Sequence, residues 1–254
     1  MSTRSGARLT LYFDPLATAS QKALMALYEM KVAFNAEVVH VLDRYASAAF
    51  LAMSPGGVTP VLRDEHVHRT IHDSSVILEY VDRNYPGAIR LLPAGEDLLL
   101  QVRMWDRIFE SQVDAPAQRL AAERSRGELA RDSHGAGDAR AVLLGAYNLI
   151  ERHMLGRTWI AGEHFTLADC AAAPALFYSS IVLPFPATHP ELASYAERLI
   201  QRPSFRRVLE EMQPWLRHSP FGNAIQARIH TDSGQTEASA RMPAVRDREQ
   251  RASG

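Results

Sequence analysis

Several parts of the sequence place chemically capable groups where a fold could use them. The turn Asp14-Pro15-Leu16-Ala17-Thr18-Ala19-Ser20-Gln21-Lys22 sets two hydroxyls, Thr18 and Ser20, at the start of a helix-forming run. A helix N-terminus has unpaired N–H groups and a positive dipole end, so hydroxyls cap it and anions are favoured beside it. Asp73-Ser74 forms a second such pair, ahead of the run Ser75 to Asn84. Its plain role is N-capping, and the same geometry attracts a carboxylate. Thr166-Leu167-Ala168-Asp169 has the spacing of a capping box, a structural device worth about 1 kcal/mol for the Thr cap alone. Val58-Thr59-Pro60 precedes an apolar pair, Val61-Leu62. Most X-Pro bonds are trans, with only about 5–6% cis, so the base rate favours trans here.

Other reactive side chains have blander readings. His66, His68 and His72 alternate, and residues two apart share one face of a strand. No acid or cysteine stands at ligand-like spacing to them, so a partly exposed strand or turn is expected rather than a metal site. Cys170 lies in an Ala-rich helical run and is expected to be a buried, inert thiol. Trp105, Phe109 and Tyr147 fall on helical faces and suit a core; Trp105 or Phe109 could instead line an apolar cleft between domains.

The composition bounds the function classes. The 254 residues correspond to ~1.7 domains at ~150 residues each, hence one large domain or two small ones. The 28 basic and 29 acidic residues give a net charge of −1, which argues against a general nucleic-acid binder. The single cysteine excludes an intrachain disulfide, a CxxC redox pair and a cysteine zinc site. It fits a reducing compartment, and a cytoplasmic location is expected. No apolar run reaches membrane-spanning length, and no apolar signal core follows the first residues, so no membrane partner is expected. Only Lys22 and Lys31 are lysines.

The elements that must position these groups fall into two halves. Leu9 to Phe13 reads as a buried strand, Ser20 to Met30 as a helix and Phe34 to Val41 as a second strand. Tyr45 to Met53 reads as a short helix, Val61-Leu62 opens a third strand, and Val67 to Ile71 returns as a fourth after a turn at Asp64-Glu65. The helix Ser75 to Asn84 ends at Tyr85-Pro86-Gly87, and residues 88–95 read as a linker. Beyond it no strand signal appears. Helices are expected over Glu96 to Arg124, Asp138 to Met154, from Leu167, and over 191–201 and 204–212, with Ser125 to Gly137 a polar connection. Residues 223–254 lose periodicity and read as a disordered tail. The expected fold is an α/β domain over 7–87, an all-α domain over 94–219 and a tail over 220–254.

The turn at 14–22, the segment Ser54-Pro55-Gly56-Gly57-Val58-Thr59-Pro60 and the start Asp73-Ser74 together resemble the thioredoxin-like half of the cytosolic glutathione transferases. Trp159 to Asp169, and His189-Pro190-Glu191-Leu192 running to Arg202-Pro203-Ser204-Phe205, resemble that family's helical half. The resemblance spans roughly residues 8 to 218, with its motifs in the family's order. It implies a glutathione site and makes glutathione the co-substrate, with no metal. It implies that Pro60 is cis and that the Thr59 backbone pairs with the tripeptide as a short added strand, beside Val58. Ser74 would bond the γ-glutamyl carboxylate, and Asp73 or its counterpart in a partner subunit the ammonium. Val is commoner than Thr before this proline, and Glu commoner than Asp before this serine.

The resemblance further implies that the turn before helix one activates the thiol. A free thiol has a pKa near ~8.5, and lowering it by ~2 units takes ~2.7 kcal/mol. One charged hydrogen bond supplies ~1.5–3 kcal/mol and the helix end ~0.3–1, so one hydroxyl is enough without a metal or general base. Aligning Pro15 and Lys22 with the family pattern puts its usual serine at Ala17, which cannot donate. Thr18 is then the first candidate activator and Ser20 the second; Tyr12 lies earlier, in strand one. Leu16, Trp105 and Phe109 are expected around an electrophile pocket. The activity implied is transfer of the glutathione thiolate to a small apolar electrophile by a homodimer. A glutathione-dependent disulfide reductase or isomerase is the enzymatic rival. A non-catalytic glutathione-binding or regulatory protein is the other, and Ala17 favours it.

Overall fold

The computed structural model describes residues 7–39, 48–125 and 133–229. The first half is a four-stranded mixed sheet. Strand β1 (Leu9–Phe13) pairs parallel with β2 (Phe34–Val38) and antiparallel with β3 (Val61–Asp64), which pairs antiparallel with β4 (Arg69–His72), in the order β2-β1-β3-β4. The period of two in β1 sends Leu9, Leu11 and Phe13 to the main core, shared with helices α1 (Thr18–Met30) and α3 (Ser74–Asn84). Tyr12 points to the other face, where α2 (Ala48–Met53) closes a small cluster of Phe50, Val39 and Val61. Strand β4 begins two residues later than the expected fourth strand, because Asp64 accepts the His66 and Val67 N–H groups and holds that stretch as a turn. Of the expected elements, 40–41 of the second strand and 45–47 of the short helix lie outside the described residues.

The second half is helical throughout its described residues. Helix α4 (Glu96–Ile108) passes into a π-helical segment, Phe109–Asp114, and on into α5 (Ala115–Ser125). The expected single run is therefore interrupted by one wider turn. Helix α6 (Ser133–Met154) starts five residues before the expected Asp138, so 133–137 belong to a helix and not to the polar connection. Helix α7 (Leu167–Val182) runs through the middle of the core, followed by α8 (Pro190–Ile200), α9 (Pro203–Met212) and a 3-10 turn (Gln213–His218).

Residues 222–229 form a further helix, α10, which corrects the expectation that the chain past 220 is a tail. Its Ile225 is 2% exposed, an apolar anchor that the polar composition around it hides. The rest of the expected tail, 230–254, lies outside the described residues.

One apolar core runs across both halves. Helix α1 packs on α7 and α9, and polar bonds lock the seam. Arg202 holds the Glu29 carboxylate with two bonds, at 2.6 and 2.9 Å, and the Ser204 hydroxyl donates to the same group. Lys22 reaches across to Asp106 on α4 at 2.5 Å and to Ser75 on α3 at 2.7 Å. Ser75 in turn donates to Asp106 at 2.7 Å. A buried ion pair needs such extra bonds to offset desolvation.

Candidate active site

A cavity of about 550 Å³ opens where the two halves meet. The α/β half contributes Leu16, Thr18, Val58, Thr59, Pro60, Asp73 and Ser74; the helical half contributes Phe109, Asp114, Tyr178, Phe221 and Ile225. Sequence-expected residues far apart in the chain thus share one surface.

The segment before β3 is built for backbone recognition. Ser54 is buried; its hydroxyl accepts the Val58 N–H at 3.1 Å and donates to the Val58 carbonyl at 3.0 Å, fixing the loop. The Thr59–Pro60 bond is cis. Thr59 stands outside the strand ladder, and among the described residues no hydrogen bond engages its N–H or carbonyl.

Helix α3 starts one residue earlier than expected, at Ser74. Asp73 is its N-cap, with φ +68°, and its Oδ1 accepts the Ser75 and Val76 N–H groups at 2.8 and 3.1 Å. Asp73 therefore performs the plain capping role whatever else it does. Ser74 is buried, lines the cavity and has no protein partner for its hydroxyl among the described residues.

Helix α1 is capped by Ala17, which offers no side-chain bond. Thr18, its first residue, lines the cavity. Its hydroxyl donates to Asp114 Oδ2 at 2.8 Å and accepts from Gln118 Nε2 at 3.3 Å. Gln118 also donates to Asp114 Oδ2 at 2.7 Å. Ser20 is not brought to the cavity. It is fully buried and its oxygen accepts the Asp14 N–H at 3.2 Å, pinning the turn onto the helix. Its geometry is that of a structural cap, a correction to its place among the candidate activators. Tyr12 packs on Phe50 at the opposite face of the sheet.

The helical half divides the two aromatic candidates. Phe109 lines the cavity, whereas Trp105 does not. Trp105 is 2% exposed and stacks near His153, with ring centroids 4.5 Å apart. One ordinary α-helical turn separates Trp105 from Phe109, the Phe109 N–H bonding the Trp105 carbonyl; the wider turn begins at Phe109 and leads to Asp114 at the cleft. Tyr147 is also core, its hydroxyl donating to the Leu183 carbonyl at 3.0 Å.

Asp114 is the group that sequence reading missed. Burial pushes its carboxyl above the ordinary range, against the Thr18 and Gln118 bonds and the Lys22 charge. Its Oδ1 is buried without a partner, one of three such side-chain atoms among the described residues. Its only sequence signal was an acid inside a run of helical periodicity, which reads as surface. Lys22 and Asp106 also reach the cavity wall, and Lys22 was flagged by being one of two lysines.

The remaining candidates stay outside the chemistry. Cys170 is fully buried, and burial pushes its thiol well up, away from the reactive thiolate. His66 and His68 are exposed in the turn, and His72 ends β4 at the cavity rim. Among the described residues no group of His, Cys, Asp or Glu could hold a metal ion, and no helix is long and apolar enough to cross a membrane.

The mixed sheet, the cis proline and the helical half that completes the cleft coincide with family models. Residues 18–84 match the glutathione S-transferase N-terminal domain and residues 105–211 the C-terminal domain, together more than half of the chain. The chain belongs to the glutathione S-transferase family. It is similar to FtsZ-localized protein A of Caulobacter vibrioides, 29% identical over 82% of this chain and 93% of that one. It is similar to the glutathione S-transferase GstB of Escherichia coli at 23% identity, covering 79% and 97%. A solved Methylobacterium radiotolerans glutathione S-transferase, in complex with glutathione sulfonate, superposes with a TM-score of 0.68 at 27% identity, covering 80% and 94%.

Proposed function

We propose that this protein binds glutathione and transfers its thiolate sulfur to a small apolar electrophile. The observation that carries the reading is the division of one cavity. Polar groups that have no protein partner among the described residues, the Thr59 backbone and the Ser74 hydroxyl, lie on one wall. Apolar side chains, Phe109, Ala117, Pro174, Ile181, Phe221 and Ile225, make the other. A tripeptide with a charged end suits the first wall: its backbone pairs with Thr59, and its γ-glutamyl carboxylate meets Ser74 and the start of α3. Asp73 keeps Oδ2 for the ammonium while Oδ1 caps the helix. The thiol then lies toward the positive end of α1, beside Thr18. The sulfur forms a bond to the electrophilic carbon, and the leaving group departs with its electron pair. The protein acts as a homodimer in the cytoplasm, and light scattering at micromolar concentration tests the dimer. Calorimetry with glutathione, followed by turnover assays with aryl halides, epoxides, aryl ethers and disulfides, tests the activity. Binding with aryl-halide or epoxide turnover is the expected result; turnover of disulfides alone would replace it with a reductase.

A second reading has its own support. The helix cap is Ala17, and the Thr18 proton is directed at Asp114 rather than into the cavity. A relative named for FtsZ localisation shows the fold under a name other than transferase. On this reading the chain binds glutathione without turnover. Retention on immobilised glutathione, with no activity across the panel, would select it.

A further inference from the structure

On the reading that glutathione occupies the cleft with its sulfur at the start of α1, we propose that the sulfur and the Asp114 carboxylate share one proton across the Thr18 hydroxyl.

A hydroxyl has one proton to give and two lone pairs. Thr18 gives its proton to Asp114 Oδ2 at 2.8 Å and takes one bond from Gln118. One lone pair remains, so a thiol beside Thr18 meets an acceptor and not a donor. The thiol donates its proton to Thr18 Oγ as Thr18 passes its own to Asp114. The S–H bond and the original Thr18 O–H bond break, and O–H bonds form on Thr18 and Asp114. The electron pair of the S–H bond stays on sulfur, so the negative charge moves from carboxylate to sulfur and the total is unchanged. Thr18 then donates to the thiolate and accepts from the protonated Asp114. Thr18 is the group that touches sulfur; Asp114 is a positioning residue that acts through it.

The surroundings suit a mobile proton. Asp114 lies on the π-helical segment, lines the cavity and keeps a buried Oδ1 without a partner among the described residues. A permanent structural anion would have that oxygen satisfied. The charged and titratable neighbours are few. Lys22 on α1 is paired with Asp106 of α4, and Glu110 is paired with Arg107 at the surface. Tyr178 of α7 accepts from Gln21 at 2.7 Å, Tyr147 of α6 is bonded to a carbonyl, and α5 presents the neutral Gln118. Among the described residues none of these charged or titratable groups is hydrogen-bonded to Thr18 or Asp114. With sulfur and carboxylate on either side of one hydroxyl, the second anion forms against the first, and the two titrate as a pair.

The test is a pH titration of thiolate absorbance in the full-chain protein saturated with glutathione. Calorimetry comes first. If the wild type does not bind glutathione, the cleft reading and the proposal fall together. If it binds, the wild type should release thiolate in two steps separated by ~2 pH units. Asp114→Asn cannot take a proton and should show one step. Thr18→Val lacks the bridge, so the lower step should vanish and thiolate should appear only in the upper one. That variant carries the test if Asp114→Asn fails to fold. Glutathione binding with a single wild-type step, or two steps that persist in both variants, overturns the proposal and leaves the binding reading intact.

Discussion

Asp169 and Asp114 are both acids in the interior of the helical half, and the fold treats them in opposite ways. Asp169 is fully buried and receives the Ile160 N–H at 3.1 Å, the Thr166 N–H at 2.8 Å, the Thr166 hydroxyl at 3.0 Å and the Tyr195 hydroxyl at 2.7 Å. Burial pushes its carboxyl up while all four donors pull the other way. Among the described residues Asp114 has two donors on one oxygen and none on the other, at a cavity wall. A closed polar cluster fixes a structure; a half-open one at a cleft leaves bonding capacity for a ligand or a proton. The same distinction separates Ser20, satisfied and sealed, from Ser74, unpartnered and at the cavity.

The largest effect is expected at the closed cluster. Asp169→Ala strips four donors of their acceptor where α7 meets α8 and the preceding loop. It should lower the free energy of unfolding by roughly 4 kcal/mol. Urea denaturation followed by circular dichroism measures it. A loss below about 1 kcal/mol would mean that satisfaction of a buried acid does not mark a structural role here.

Lys22 and Asp106 come next, as a closed pair that borders the cavity. Lys22→Met leaves the buried Asp106 charge without its cation, with the Ser75 hydroxyl still bonded to it, and should cost about 3 kcal/mol. Replacing both, with Met at 22 and Leu at 106, should recover most of that loss, since a buried pair and an apolar pair of similar size differ little. A double variant no more stable than the single one would show that Lys22 works through packing instead.

The α/β wall of the cleft was legible because its devices are local. Asp73-Ser74 declares a helix start within two residues, and the order of strands and helices follows from short-range periodicity; the cis form of Thr59-Pro60 comes only with the family resemblance, since the residues alone favour trans. The helical wall was not legible. Trp105 and Phe109 sit one ordinary turn apart, so periodicity gives them one face and does not say that only Phe109 reaches the cavity; the wider turn at Phe109–Asp114, which shifts the phase of Asp114, is equally invisible to it. Ile225 stands among Gly222, Asn223, Gln226 and Arg228, and its burial against the core, beside Ile229 and Phe221, is what the mixed composition of that stretch does not reveal. In sequence Thr18 ranks ahead of Ser20 only by its place beside Ala17; in the structure the bond from the Asp14 N–H, six residues back, separates them.

Ser74 tests the open class. Ser74→Ala removes a hydroxyl with no protein partner among the described residues, so stability should move by less than about 0.5 kcal/mol. The γ-glutamyl carboxylate would lose one charged hydrogen bond, raising the glutathione dissociation constant about tenfold to a hundredfold, or ~1.5–3 kcal/mol. Calorimetry reads the constant directly. Unchanged affinity in the folded variant would remove the start of α3 from the site and weaken the claim that unpartnered cavity groups mark the ligand.

The smallest effect is expected at Ser20, and it sharpens the contrast with Thr18. Ser20 is sealed from the cavity, and its oxygen is the acceptor for the Asp14 N–H. Ser20→Ala leaves that N–H unsatisfied, which should cost about 1 kcal/mol of stability. The turn is held by other bonds as well: Asp14 Oδ1 accepts the Leu16 N–H at 2.9 Å, and Ala17 donates to the Asp14 carbonyl at 3.1 Å. The start of α1 should therefore keep its place, and Thr18 with it. The thiolate titration of the glutathione complex should match the wild type in Ser20→Ala, while Thr18→Ser, which keeps a hydroxyl on the cavity wall, should also be nearly silent. Thr18→Val should shift the appearance of thiolate upward by about 1–2 pH units. A titration that moves in Ser20→Ala and stays fixed in Thr18→Val would reverse the assignment, because it would require the sealed hydroxyl to reach a sulfur that the wall residue does not touch.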